Sequence, residues 1–185
     1  MLELNGLLPL EYNLLYTRRS MGQRRHNDIF NPNDAALLLL KFTNDTVVDF
    51  IKTLKEEPSI EQHSQLLKIE SELTFFSWFA LDFWVSKSFD KEKSQAISDA
   101  LTIHLQNFIV ESQDGQNVVN TINERLEAYA QIVNEEIEDS AKFFRLGHKL
   151  ADFCDLQHPF LWITAPEIFT SVLKYVSILV EKMST

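Results

Sequence analysis

Residues 75–85 read Phe75-Phe76-Ser77-Trp78-Phe79-Ala80-Leu81-Asp82-Phe83-Trp84-Val85. This stretch decides the fold. Its apolar positions do not alternate as a half-exposed strand requires, and they leave no polar stripe of the kind that wets an amphipathic helix. A helix apolar nearly all round is enclosed by other helices. Upstream, Leu66, Ile69 and Leu73 continue it with an ordinary amphipathic spacing. Ser59 followed by Gln62 has the spacing of a capping box. The expectation is one helix over 59–88 at the centre of an all-α, single-domain bundle of about five helices.

Neighbouring segments supply the wrapping. Asn31 as cap, Pro32 at the first helical position and Asp34 in the first turn open a helix that reaches about residue 55. Leu37, Leu40, Val47, Ile51 and Leu54 are expected to face inward, and Glu57-Pro58 ends the helix. A third helix runs from about Asp90 to Glu111, with Ile97, Leu101, His104, Phe108 and Ile109 on its inner stripe. From Asn117 a 3-4 rhythm holds through Val119, Ile122, Leu126, Tyr129 and Val133. It slips near Ile137 and resumes at Ala141, Phe144 and Ala151. With no Pro or Gly to mark a stop, one long bent helix is expected rather than a break around 138–140. The last helix is expected to start at Thr164, which forms a capping box with Glu167 while Ile163 and Ile168 stand at staple spacing. It continues through Val172, Val176, Leu179 and Met183.

Composition agrees with a helical reading. The 185 residues include 14 Phe and 3 Trp but only 4 Gly, so both hairpin turns and phosphate-cradling loops lose support. Formal net charge is −10, a field that repels nucleic acid and anionic lipid. Within 1–31, Arg18, Arg19, Arg24 and Arg25 outweigh Glu3, Glu11 and Asp28 by one charge, which leaves −11 for the remainder. Residues 1–30 are read as an arm that docks through Leu7, Leu8, Leu10, Leu14 and Leu15, with residues 31–185 forming the bundle. Cys154 is the only cysteine, which excludes an intrachain disulfide and suits a reducing, cytoplasmic setting. No secretory signal is apparent. The best spanning candidate, Leu73 to Val85, is too short and carries Asp82.

Four groups of residues have chemistry to offer. His148, Asp152 and Asp155 lie at i, i+4 and i+7 with His158 beyond, a donor set that suits Zn, Fe or Mn, although no second cluster completes it. No metal or cofactor is therefore expected, and the polar-face reading is favoured. Cys154 has His148 and His158 within a few residues, but a lone cysteine beside Phe153 reads as a small buried hydrophobe. Asp82 among Phe75, Trp78, Phe79 and Trp84 could anchor a ligand in an aromatic pocket; a bond to a neighbouring helix is the plainer expectation. Arg18, Arg19, Arg24 and Arg25, with Tyr12 and Tyr16 upstream, could meet phosphates and bases, but the acidic bulk argues against nucleic acid and for a protein partner. His104 reads as a hydrogen-bonded core histidine.

No spacing specifies a reaction. The expected function is a non-enzymatic interaction module that self-associates or binds a protein partner through helix faces, with homo-oligomers anticipated and no membrane contact. The rival is a receptor for a small apolar ligand held inside the bundle. A hydrolase or metalloenzyme built on His148 is a third class.

Overall fold

In a computed structural model, residues 31–56, 63–111 and 115–184 are described. The chain divides into two units, residues 1–31 and Pro32–Thr185. The sequence expectations for the leucines, tyrosines and arginines of 1–30, and for a cap at Ser59, fall outside the described residues.

Six α-helices and no strand occupy the described residues: α1 Pro32–Lys55, α2 His63–Ser88, α3 Lys91–Glu111, α4 Gly115–Val133, α5 Asp139–Phe153 and α6 Pro159–Ser184. The architecture is all-α, and α2 packs against each of the other five. Ile69, Leu73, Phe76, Ala80, Leu81 and Val85 are buried along it. Central placement follows from its lack of a wet face.

Buried Ser and Thr sit on these apolar stripes because their hydroxyls donate back to the carbonyl four residues earlier. Thr43 reaches the Leu39 oxygen at 2.8 Å, Ser77 that of Leu73 at 2.7 Å, and Thr164 that of Phe160 at 2.7 Å. The self-satisfied hydroxyl removes most of the desolvation cost.

Aromatic pairs set the helix directions. Phe42 stacks on Tyr175 with centroids 4.2 Å apart, while Phe50 meets Phe160 edge-on at 6.2 Å. The reversed order makes α1 and α6 antiparallel. Between α2 and α4 the order is preserved, since Glu72 pairs with Arg125 and Phe76 with Tyr129; these two run parallel, with α3 returning between them.

The structure departs from the sequence expectations in four places. The expected long helix breaks: α4 ends at Val133, and α5 starts after Glu138, which is extended at φ −60°, ψ 145°. A continuous helix would stack Glu135 on Glu138 and Asp139, like charges at i+3 and i+4. Broken, the same acids sit at the positive end of α5, where Asp139 lies in the first turn. The break accounts for six helices rather than five and resets the register. The inward side of α5 is Leu146, Gly147, Leu150 and Ala151, and Phe144 is 59% exposed.

The last helix begins five residues before Thr164. His158 caps it, its Nδ1 accepting the Phe160 N–H at 3.2 Å, and Pro159 takes the first position. Pro166 then lies inside α6, and Ile163 is 56% exposed instead of stapling the start. In α1 the buried line is Leu39, Thr43, Val47, Ile51 and Leu54, while Leu37 is 48% exposed. Finally, the segment long and apolar enough to cross a membrane by length and composition is Pro159–Lys182 of α6, not Leu73–Val85. Its Leu161, Ile168, Val172 and Val176 are buried against the bundle.

Candidate functional site

Glu72 on α2, 4% exposed, accepts two hydrogen bonds from Arg125 on α4, at 2.8 Å from Nε and 2.9 Å from Nη2. This two-pronged geometry is what keeps a buried carboxylate tolerable. Burial works against the Arg125 charge, but Glu72 outweighs it and holds the guanidinium above its ordinary value. The same guanidinium lies 3.8 Å over the Phe153 ring, and Lys149 Nζ lies 4.8 Å from that ring's centroid. Tyr129 is fully buried beside them, and its hydroxyl has no hydrogen-bond partner. Burial first, then the Glu72 charge, raises the Tyr129 phenol well above its ordinary value.

Cys154 belongs to this interior. It is 2% exposed, and burial, reinforced by Glu72, pushes its thiol up to about 12. A nucleophilic cysteine needs the opposite shift. The arrangement cannot supply thiolate at neutral pH.

The histidine and aspartates of the candidate metal set go separate ways. Asp155 pairs with Lys68 of α2, which lowers its carboxyl pKa through the hydrogen bond and the charge. Asp152 accepts from Gln157 Nε2, and His158 caps α6. His148 meets Phe144 at a tilt, with ring centroids 4.2 Å apart, and stacks on Trp162 at 4.5 Å. Among the described residues no group of three His, Cys, Asp or Glu side chains is placed to hold a metal ion.

Of the pocket candidates, Phe79 and Trp84 come together around Phe169 of α6, with centroids at 6.1 and 5.0 Å. Trp84 Nε1 donates to the Phe169 carbonyl at 2.9 Å. Phe79 also meets Phe76, Phe83 and Tyr129. Phe75 and Trp78 are half-buried. Asp82 is exposed and accepts a hydrogen bond from Ser98 Oγ at 3.0 Å, so it is not gathered with the rings. His104 is half-buried on α3.

The feature that sequence reasoning missed is an aromatic ladder across the outside of α5 and α6. Phe144 meets His148 at a tilt, His148 stacks on Trp162, and Ile163 follows Trp162 on the chain. Within these rings, His148 Nε2 and Trp162 Nε1 are buried without a hydrogen-bond partner, a state that costs about 1–3 kcal/mol per group. Phe144 and Phe143 are adjacent in a register the break had shifted, so periodicity assigned the wrong one inward; Phe143 is the residue that meets Phe169, at 5.9 Å.

Comparison with known protein families, characterised proteins and solved structures finds no match to this chain.

Proposed function

We propose that this chain is a non-enzymatic helical interaction module whose contact surface is the outer face of α5 and α6. The observation that carries this reading is the exposure of two large apolar side chains on neighbouring helices, Phe144 at 59% on α5 and Ile163 at 56%, one residue after Trp162, on α6. Large apolar side chains grouped on one face mark interaction sites, whereas scattered ones need no explanation.

The interior argues for a scaffold. Its carboxylate is matched by Arg125, its thiol is held protonated, and its aromatic rings pack on one another. The receptor reading has less behind it, because Asp82 faces Ser98 and solvent instead of joining Phe79 and Trp84.

The test is site-specific photo-crosslinking in the native cell. A photoreactive phenylalanine at position 144 should yield a discrete covalent adduct, either with a second copy or with another protein. The same group at exposed Asp99 on α3 should yield none. Equal, diffuse labelling from both positions would reject the reading.

A further inference from the structure

The charges that border the ladder identify the kind of partner. Along α5 each cation is already engaged, while on α6 the exposed Lys174 lies about three turns beyond Ile163. Lys142 pairs with Asp139, Arg145 with Glu135 and Lys68 with Asp155, while Lys149 lies over Phe153. The acids are in excess. Glu136, Glu138 and Glu167 are exposed and carry no cation, and Asp152 is exposed with only the Gln157 amide on it. Asp152 stands one turn beyond His148 on α5, and Glu167 one turn beyond Ile163 on α6. Glu136 and Glu138 flank exposed Ile137 just before α5. The surface is therefore an apolar strip with an uncompensated acidic rim.

From this complementarity we infer that the α5–α6 face binds a basic amphipathic segment of another protein, most simply a helix with apolar side chains at i, i+3/i+4 and i+7 and Lys or Arg beside them. The inference rests on the interaction-module reading and supplies its partner chemistry. Apolar side chains of such a segment cover Phe144, Trp162 and Ile163, and its cations meet Glu136, Glu138, Asp152 and Glu167. Helix-in-groove recognition uses this division of labour, with anchors for affinity and rim charges for rate and selectivity. The α5–α6 face of a second copy fits less well, because it presents the same acidic rim.

The experiment uses the full chain and a synthetic helical peptide of leucine and lysine, roughly 18 residues or five turns long. Its controls are a leucine–glutamate analogue and a scrambled leucine–lysine sequence, with affinity read by calorimetry. The ordered basic peptide should bind about tenfold or more tighter than either control. Phe144→Ser with Ile163→Ser should weaken it about tenfold. The triple variant E136Q/E138Q/E167Q should weaken it several-fold and flatten its salt dependence, whereas Ile103→Ser on α3 should change nothing. Hydrogen exchange on the unmodified chain guards against misfolded variants, and should show peptide-dependent protection confined to 136–153 and 160–167. Equal binding of the acidic analogue, unchanged affinity in the serine or glutamine variants, or protection elsewhere would overturn the inference. So would binding to zwitterionic lipid vesicles through the same residues. If the serine variant instead abolishes self-association and leaves peptide binding intact, the partner chemistry is wrong while the interaction module survives.

Discussion

The Cα of Gly147 lies so close to the backbone carbonyl of Trp162 that a β-carbon at 147 would sit 2.1 Å from that oxygen. Two residues make the approach possible. Gly147 brings no side chain, and Pro166, four residues after Trp162, brings no N–H to occupy the carbonyl within α6. The oxygen is thereby left available for a Cα–H contact from the neighbouring helix. Gly147→Ala must push α5 off α6, since the obstacle is main chain and cannot rotate away. The expected cost is about 3 kcal/mol, seen as a lowered urea midpoint. Pro166→Ala should preserve the fold and restore a donor to Trp162. An alanine at 147 as stable as glycine would show that the helices are not this close.

Arg125 and Glu72 form the buried ion pair, and removing one partner strands the other. Arg125→Met should cost about 3–5 kcal/mol, because Glu72 would remain buried without its two hydrogen bonds. The double replacement Glu72→Leu with Arg125→Met should recover most of that loss. A denaturant series on the single and double variants measures the coupling directly.

Cys154 should be silent towards thiol reagents at pH 8 and react at the ordinary rate only in denaturant, a contrast of about a hundredfold or more. Its raised pKa also has a stability consequence. The folded chain holds this proton more tightly than the unfolded chain does, so the contribution is complete below the ordinary thiol value of 9.0. It is lost as pH rises from there towards about 12. Cys154→Ala should therefore flatten part of the stability decline across that window.

Asp155 adopts φ 52° at the end of α5. The Leu156 N–H bonds the Ala151 carbonyl and the Asp155 N–H that of Asp152, each at 3.0 Å, which is the Schellman closure. Glycine is the usual residue there. Asp155→Gly relieves the left-handed conformation but removes the exposed pair with Lys68, worth at most about 1 kcal/mol. The net change should be small. Asp155→Ala loses the pair without relief and should cost about 1–2 kcal/mol. Thermal melts of the three proteins rank glycine level with or above aspartate, and alanine last.

Local signals that need only the neighbouring turn were readable in the sequence. Pro32 at the start of α1, Asp90 accepting the Lys93 N–H at 2.9 Å ahead of α3, and the all-round apolar run of α2 appear where their spacing placed them. The break between α4 and α5 was not readable, because no Pro or Gly marks it and the like-charge stacking it avoids had to be weighed against packing. The capping box at Thr164 was present in letters but overridden, since the Thr164 hydroxyl finds the Phe160 carbonyl once His158 and Pro159 have started the helix earlier. The ladder of Phe144, His148 and Trp162 spans two helices whose relative height no periodicity encodes.

By itself the sequence determined the fold class and the central helix, because backbone hydrogen bonding and the side-chain period of a helix act within a few residues. Only the tertiary structure decided which aromatic rings are covered and which stay in water. That choice depends on where helices cross, and here the crossing is set by a glycine and a proline on different helices that meet at one carbonyl oxygen.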